Sequence, residues 1–218
     1  MPRLHAFGCS HTFGEGITKA DVRDSKYPSK NSWAAHLSSK LKIELINHAI
    51  PGSSNHNILN QVKTANFLSR DIAVIMFTYY DRSVYYHEDG KEDHINLPSR
   101  WTPINALKKK TKEYSFYKLF SNYHMERISL YDIEHTYLYL MNQGISFVPM
   151  FLEKVPDRHK KAVMQRVYDD SAYTVRDIIN KVPEYLQNGA DGKHWSAKVH
   201  KRIAQYAYDK IQLLTTDL

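Results

Sequence analysis

The segment Ile72-Ala73-Val74-Ile75-Met76-Phe77-Thr78 decides the fold. Its apolar run shows neither helical spacing nor the alternation of a half-exposed strand. A short run of this kind suits a strand covered on both faces, the situation of a central strand in a parallel sheet. Three further runs fit the same reading. Residues 4–7 end at Gly8, residues 43–50 close on Pro51-Gly52, and residues 145–152 follow Gly144. Helical spacing fills the intervals. Trp33, Ala34, Leu37 and Leu41 share one face of residues 32–41, and Ile58, Leu59, Val62 and Ala65 share one face of residues 55–68. A long helical pattern covers 114–142, a mostly helical and amphipathic stretch covers 157–188, and residues 196–214 carry the stripe Val199, Ile203, Tyr206, Ala207, Ile211 and Leu214. Residues 10–31 read as a long loop.

Strand and helix thus alternate, which argues for an α/β protein with a doubly wound parallel sheet and right-handed crossovers. Residues 83–113 are polar and aperiodic, with Pro98 and Pro103 as breakers, and are expected to form an insertion or lid. No linker or repeat divides the chain, so one domain over residues 1–218 is expected.

The composition bounds the function. Hydrophobic residues at 42% and charged residues at 24% place the chain with ordinary globular proteins and exclude wholesale disorder. The 16 tyrosines are expected to fill the core with their hydroxyls bonded. The net charge of +7 attracts anionic partners in principle. The densest basic runs are Lys108-Lys109-Lys110-Thr111-Lys112 and Arg158-His159-Lys160-Lys161. Neither is interleaved with aromatics, so both read as solvated surface, and nucleic acid is not an expected partner. The one cysteine, Cys9, excludes an internal disulfide and reads as a small buried hydrophobe. No run approaches the roughly 18 apolar residues of a membrane span. The opening residues lack the apolar region of a secretory signal, and a soluble cytoplasmic protein is expected. His5, His11, His48, His56 and His200 match no zinc spacing, so no metal is expected. The run Gly8–Gly14 lacks the Gly-Lys-Ser/Thr ending of a phosphate loop.

Chemistry in an open parallel sheet gathers at the carboxyl ends of the strands. Four segments fall there: Gly8-Cys9-Ser10-His11-Thr12, Pro51-Gly52-Ser53-Ser54-Asn55, Thr78-Tyr79-Tyr80-Asp81-Arg82, and Asp191-Gly192-Lys193-His194-Trp195-Ser196 ahead of the last helix. A serine hydroxyl needs an adjacent base to act as a nucleophile, and histidine oriented by a carboxylate is the usual one. Asp191 and His194 are close enough for one loop turn to deliver both. Ser10 follows a glycine two residues back, which permits a sharp turn with backbone N–H groups near an oxyanion. Each element alone has an ordinary alternative as a turn or helix cap. His11 adjoins Ser10, Asp81 and Arg82 sit at a strand end where they could grip a polar substrate, and Trp195 stands beside His194, to pack against it or stack on a sugar. Glu15 and Asp24 receive no role.

Taken together these segments resemble the SGNH, or GDSL-like, hydrolase family over nearly the whole chain. The first motif resembles Phe7–Thr12, the second Asn47–Asn55 followed by Ile58, and the last Asp191–Ser196 followed by His200 and Ala204. The pattern is also similar to small hydrolase-like proteins of tailed phages, which would make the chain phage-encoded. The resemblance implies a three-layer α/β/α sandwich with a five-stranded parallel sheet, flavodoxin-like in its winding. It implies a serine esterase or O-deacetylase, without cofactor, acting on a small acyl ester or an acetylated glycan. Ser10 would attack, His194 would carry the proton, and Asp191 would orient His194. The Ser10 and Gly52 N–H groups would bind the oxyanion. The family's asparagine after the third strand is missing from Thr78-Tyr79-Tyr80-Asp81. Asn55 or the Tyr80 hydroxyl is the candidate replacement, with His11, Tyr80, Asp81, Arg82 and Trp195 around the substrate. The missing asparagine leaves an alternative, a weak or inactive binding module associated with a phage particle.

Overall fold

The computed structural model describes residues 2–21, 26–86, 88–89, 92–96 and 122–216. Four parallel strands form the sheet: β1 (Arg3–Phe7), β2 (Glu44–Asn47), β3 (Ile72–Phe77) and, after the hairpin described below, β6 (Ser146–Phe151), in the order β2-β1-β3-β6. The decisive segment is thus an inner strand, paired to β1 through Leu4–Phe7 and to β6 through Ser146–Phe151. Successive strand residues point to opposite faces, and β3 divides accordingly. Val74 and Met76 join one apolar cluster; Ala73, Ile75 and Phe77 join the other.

The first cluster packs the sheet against α2 (Trp33–Leu41), α6 (Val175–Ile179) and the C-terminal helix α7 (Ala197–Thr216), through Trp33, Leu37, Ile178, Val199, Ile203 and Ala207. The second packs it against α3 (Asn55–Thr64), α4 (Asn122–Asn142) and α5 (Gln165–Asp170), through Ile58, Val62, Leu130, Ile133, Tyr137 and Val167. The result is the expected α/β/α sandwich. Tyr137 follows the expectation for tyrosine: fully buried, it donates its hydroxyl to Asp170 Oδ2 at 2.9 Å.

Three departures have physical reasons. The sheet has four parallel strands among the described residues, matching the four apolar runs of the sequence and not the five implied by resemblance. Pro149 lies in β6, and a proline without an N–H suits an edge strand. The stretch 157–188 breaks into a 3-10 turn (Asp157–Ala162), α5, α6 and a second 3-10 turn (Glu184–Leu186). Within the first turn His159 is buried on Glu126, with Nε2 and Oε2 2.8 Å apart, and Arg158 pairs with the same carboxylate, so that basic cluster is only partly solvated. The segment expected as a lid at 83–113 opens as an antiparallel hairpin, β4 (Arg82–Tyr86) against β5 (Glu92–Asn96); residues 97–113, with the lysine run, lie outside the described residues.

Two buried polar links tie the sheet and helices. Asp71, just before β3, accepts from the Arg3 backbone at 2.9 Å, from Arg3 Nη2 at 2.6 Å and from the Leu68 N–H at 2.8 Å. His5 Nε2 stands 3.0 Å from the same carboxylate, and His5 Nδ1 is 3.0 Å from His48 Nε2. A carboxylate only accepts, so His5 Nε2 carries its hydrogen, and in neutral His5 the other nitrogen accepts from His48. In the second link His200, fully buried on α7, accepts the Trp33 backbone N–H at 3.0 Å. That N–H is one of the donors that a helix start leaves without an internal partner.

Burial opposes the charge on Asp71, yet Arg3 and the two backbone N–H groups hold it well below the usual carboxylate range. Burial lowers His48 to about 4 and His200 to about 3. The unfolded chain takes up these protons near the ordinary histidine value of 6.5, the folded chain only near 4 and 3. Between those limits the unfolded state binds more protons, so stability falls as pH drops below 6.5. Asp71 adds to the loss as pH falls through and below the ordinary aspartate value of 3.8. Urea unfolding at about pH 7 and about pH 4.5 is expected to show this loss, with His200→Gln flattening it. Asp71→Asn strips Arg3 of its counter-charge and is expected to lower the urea midpoint at neutral pH in the same assay.

Candidate active site

Strands β2 and β3 flank β1 on opposite sides, so the chain winds away from β1 in two directions. The crevice at the carboxyl ends of such strands is where open α/β sheets place their chemistry. Here β1 ends at Phe7 and the chain turns at once into α1 (Ser10–Phe13), a single turn whose Thr12 and Phe13 N–H groups bond Cys9 O at 2.9 and 3.0 Å. Ser10 is its first residue and is 5% exposed. Cys9, capping the turn, is fully buried with its sulfur 3.7 Å from Thr78 Oγ1, as expected of a small hydrophobe. Asn47, at the end of β2, braces the turn by donating to Thr12 O at 3.1 Å.

The loop before α7 supplies the other half. Asp191 Oδ1 accepts the backbone N–H groups of Lys193 and His194, each at 2.9 Å, and Oδ2 lies 2.6 Å from His194 Nδ1. One carboxylate thus shapes the turn and orients the ring. Burial raises Asp191, but the His194 and Lys193 N–H groups and the His194 ring outweigh it and bring it to about 2. The loop packs directly on the strand-one loop: an added Cβ on Gly16, whose φ is +72°, would lie 2.2 Å from Asp191 Oδ2.

His11 connects the two halves. Its ring stacks on Trp195 with centroids 3.7 Å apart and meets His194 edge-on at 5.4 Å. Burial keeps His11 well below the ordinary histidine value, reinforced by the cationic forms of His194 and His200 and by Arg82. His11 and Trp195 therefore pack the strand-one loop against the loop ahead of α7. Ser10 and His194 are linked through His11, which follows Ser10 in the chain and meets the His194 ring, and no hydrogen bond joins Ser10 to His194 among the described residues.

The remaining sequence candidates separate. Gly52 lies in the turn after β2 with φ +84°, and no atom comes within 4 Å of where its Cβ would be. Asn55, 1% exposed, spends its amide elsewhere: Nδ2 donates to Thr78 O at 3.2 Å and Ser129 Oγ at 2.7 Å, while Oδ1 accepts from Thr78 N at 2.8 Å. It ties α3 to the end of β3 and to α4. Tyr80 is buried in the second apolar cluster with its hydroxyl donating to Glu153 O at 3.1 Å. Asp81 is partly exposed beside it. Arg82 donates to Ser53 O at 3.3 Å and lies over the Tyr79 ring. The residue that gained no role in the sequence but stands in the cleft is Glu15, with Oε2 3.7 Å from His194 Nε2. Its signal was a charged residue between two glycines directly after the serine turn.

No protein-family model matches the sequence, and no curated protein does. Among solved structures, the chain is similar to an acetyl xylan esterase, Est2A, from the rumen bacterium Butyrivibrio proteoclasticus, with TM-score 0.53 and 11% identity over 99% of this chain and 64% of that one. It is similar to the aryl esterase of M. smegmatis in its inhibitor-bound form, with TM-score 0.51 and 11% identity over 98% of this chain and 100% of that one. A member of the lipolytic G-D-S-L family from Veillonella parvula DSM 2008 gives TM-score 0.48 at 12% identity over 96% of this chain and 97% of that one. What the first two share with this chain is the fold, a parallel sheet flanked by helices on both sides.

The packing of Gly16 on Asp191 makes a direct test of the site's architecture. Gly16→Ala forces a left-handed alanine against the carboxylate and is expected to cost about 1–3 kcal/mol in denaturant unfolding. It is also expected to abolish the low-field proton resonance of the His194 Nδ1–H···Asp191 bond.

Proposed function

We propose that the chain is a serine ester hydrolase, an esterase or O-deacetylase that cleaves a small acyl ester through an acyl-Ser10 intermediate. The observation that carries this reading is the 2.6 Å contact between His194 Nδ1 and Asp191 Oδ2, with the His194 ring edge-on to that of His11, the residue next to Ser10. With Nδ1–H committed to Asp191, neutral His194 presents a bare Nε2 to the cleft. Ser10 Oγ gives its proton to that nitrogen as it attacks the ester carbonyl. The resulting oxyanion is met by the backbone N–H groups of Ser10 and Gly52. His194 returns the proton to the leaving alcohol, then activates a water that releases the acid and restores Ser10. Every step uses side chains and backbone alone, so the reading calls for no cofactor. The likeness in fold to an acetyl xylan esterase supports an acetylated glycan as the substrate class. His11 and Trp195 would line its path, with Asp81 and Arg82 at the rim.

One observation favours a second reading, a binding module built on the same fold. Asn55, the candidate replacement for the missing asparagine donor, has both amide hydrogens engaged by Thr78 and Ser129. Loss of one oxyanion donor costs on the order of 10²–10³ in rate in a serine protease.

Hydrolysis of p-nitrophenyl acetate by the purified protein tests the first reading. Turnover is expected to fall by about 10³-fold or more in Ser10→Ala and in His194→Ala, each nearly as damaging as both together. Equal rates in wild type and both variants would leave the binding module as the better account.

A further inference from the structure

The segment Gly14-Glu15-Gly16 places a carboxylate in the cleft for which the mechanism above has no use. Glu15 is 7% exposed, and among the described residues its side chain makes no hydrogen bond and meets no lysine or arginine. Its close polar neighbour is His194 Nε2, 3.7 Å from Oε2 and beyond hydrogen-bond distance. The backbone fixes it there. Gly14 and Gly16 have φ of +88° and +72°. The N–H groups of Gly14 and Glu15 bond Ser10 O at 2.8 and 3.0 Å, and that of Gly16 bonds Asp21 O at 2.6 Å.

A carboxylate shielded from water without donors is costly, and it offers about four lone-pair positions to whatever enters. In acyl transfer the leaving alcohol oxygen must come within about 3 Å of His194 Nε2 to recover its proton. Glu15 Oε2 is already 3.7 Å from that atom, so it flanks the alcohol half of the ester. A cationic neighbour on the substrate would be repelled by the imidazolium that forms on His194. A hydroxyl meets no such penalty.

We propose that Glu15 is the specificity residue for the leaving alcohol, accepting a hydrogen bond from a hydroxyl on the carbon next to the one bearing the ester. The assignment rests on the ester-hydrolase reading and narrows its substrate to monoesters of vicinal diols, the arrangement found in polyols and sugars. A plain alkyl ester fills the same space and leaves Glu15 without a donor, which is the situation in which polar sites discriminate most strongly.

The test compares 2-hydroxyethyl acetate with propyl acetate, two esters of closely similar size. Wild type is expected to favour the hydroxy ester in kcat/KM by at least about tenfold. Glu15→Ala brings that ratio close to one, and Glu15→Gln, which still accepts through its amide oxygen, keeps part of it. A ratio unchanged by Glu15→Ala overturns the proposal while leaving the hydrolase reading intact. A wild-type ratio of one overturns it whether or not the alanine variant folds. If no ester is turned over, the hydrolase reading fails, and binding decides the role of Glu15. NMR titration of both esters into Ser10→Ala and Ser10→Ala/Glu15→Ala is then expected to show the hydroxy ester bound more tightly only where Glu15 is present. Equal binding in the two proteins overturns the proposal.

Discussion

A strand that is apolar on both faces has to be covered twice, and most of this structure follows from meeting that demand for β3. Two helical layers are needed, one for Val74 and Met76 and one for Ala73, Ile75 and Phe77. Parallel pairing with β1 and β6 then requires crossovers long enough to hold those helices. The crossovers leave from the carboxyl ends of the strands, so the loops that carry Ser10, Gly52 and Arg82 collect at one edge. The site is in this sense a by-product of burying a central strand.

The sequence made this layout legible wherever hydrophobic period determined structure. The runs at 4–7, 43–50, 72–78 and 145–152 became β1, β2, β3 and β6, the first gaining Arg3 and the other three shortened at their ends where pairing stops. Ser32 and Ser54 cap α2 and α3, with side chains accepting from Ala35 and Asn57. The pattern failed where packing or local hydrogen bonding decided instead. The amphipathic stretch 157–188 stayed mostly helical but in four short pieces, with Pro156 and Pro183 ahead of the two 3-10 turns and His159 buried against Glu126.

The site was legible in part. The pairing of Asp191 with His194 follows from a turn of three residues, and sequence distance alone makes it plausible. The partners of Asn55 and Tyr80 could not be read that way, since Ser129 and Glu153 reach them from distant elements. Nor could the approach of Glu15 to His194, which depends on how Gly16 nests against Asp191. Period and motif report which residues sit at strand ends. They do not report which of those side chains turn inward to hold loops together.

The bond from His200 to the Trp33 N–H spans 167 residues of chain. At a synthesis rate of about 5–20 residues per second, roughly 10–30 s separate the emergence of its two ends. Until His200 emerges only water is available to the Trp33 N–H, and until Asp191–Ser196 emerges the serine turn lacks the loop that faces it. His200 on α7 supplies the first of these partners and the loop just ahead of it supplies the second. The link from His200 to Trp33 is therefore among the last tertiary contacts of the described fold to become available during synthesis, long after the serine turn has emerged.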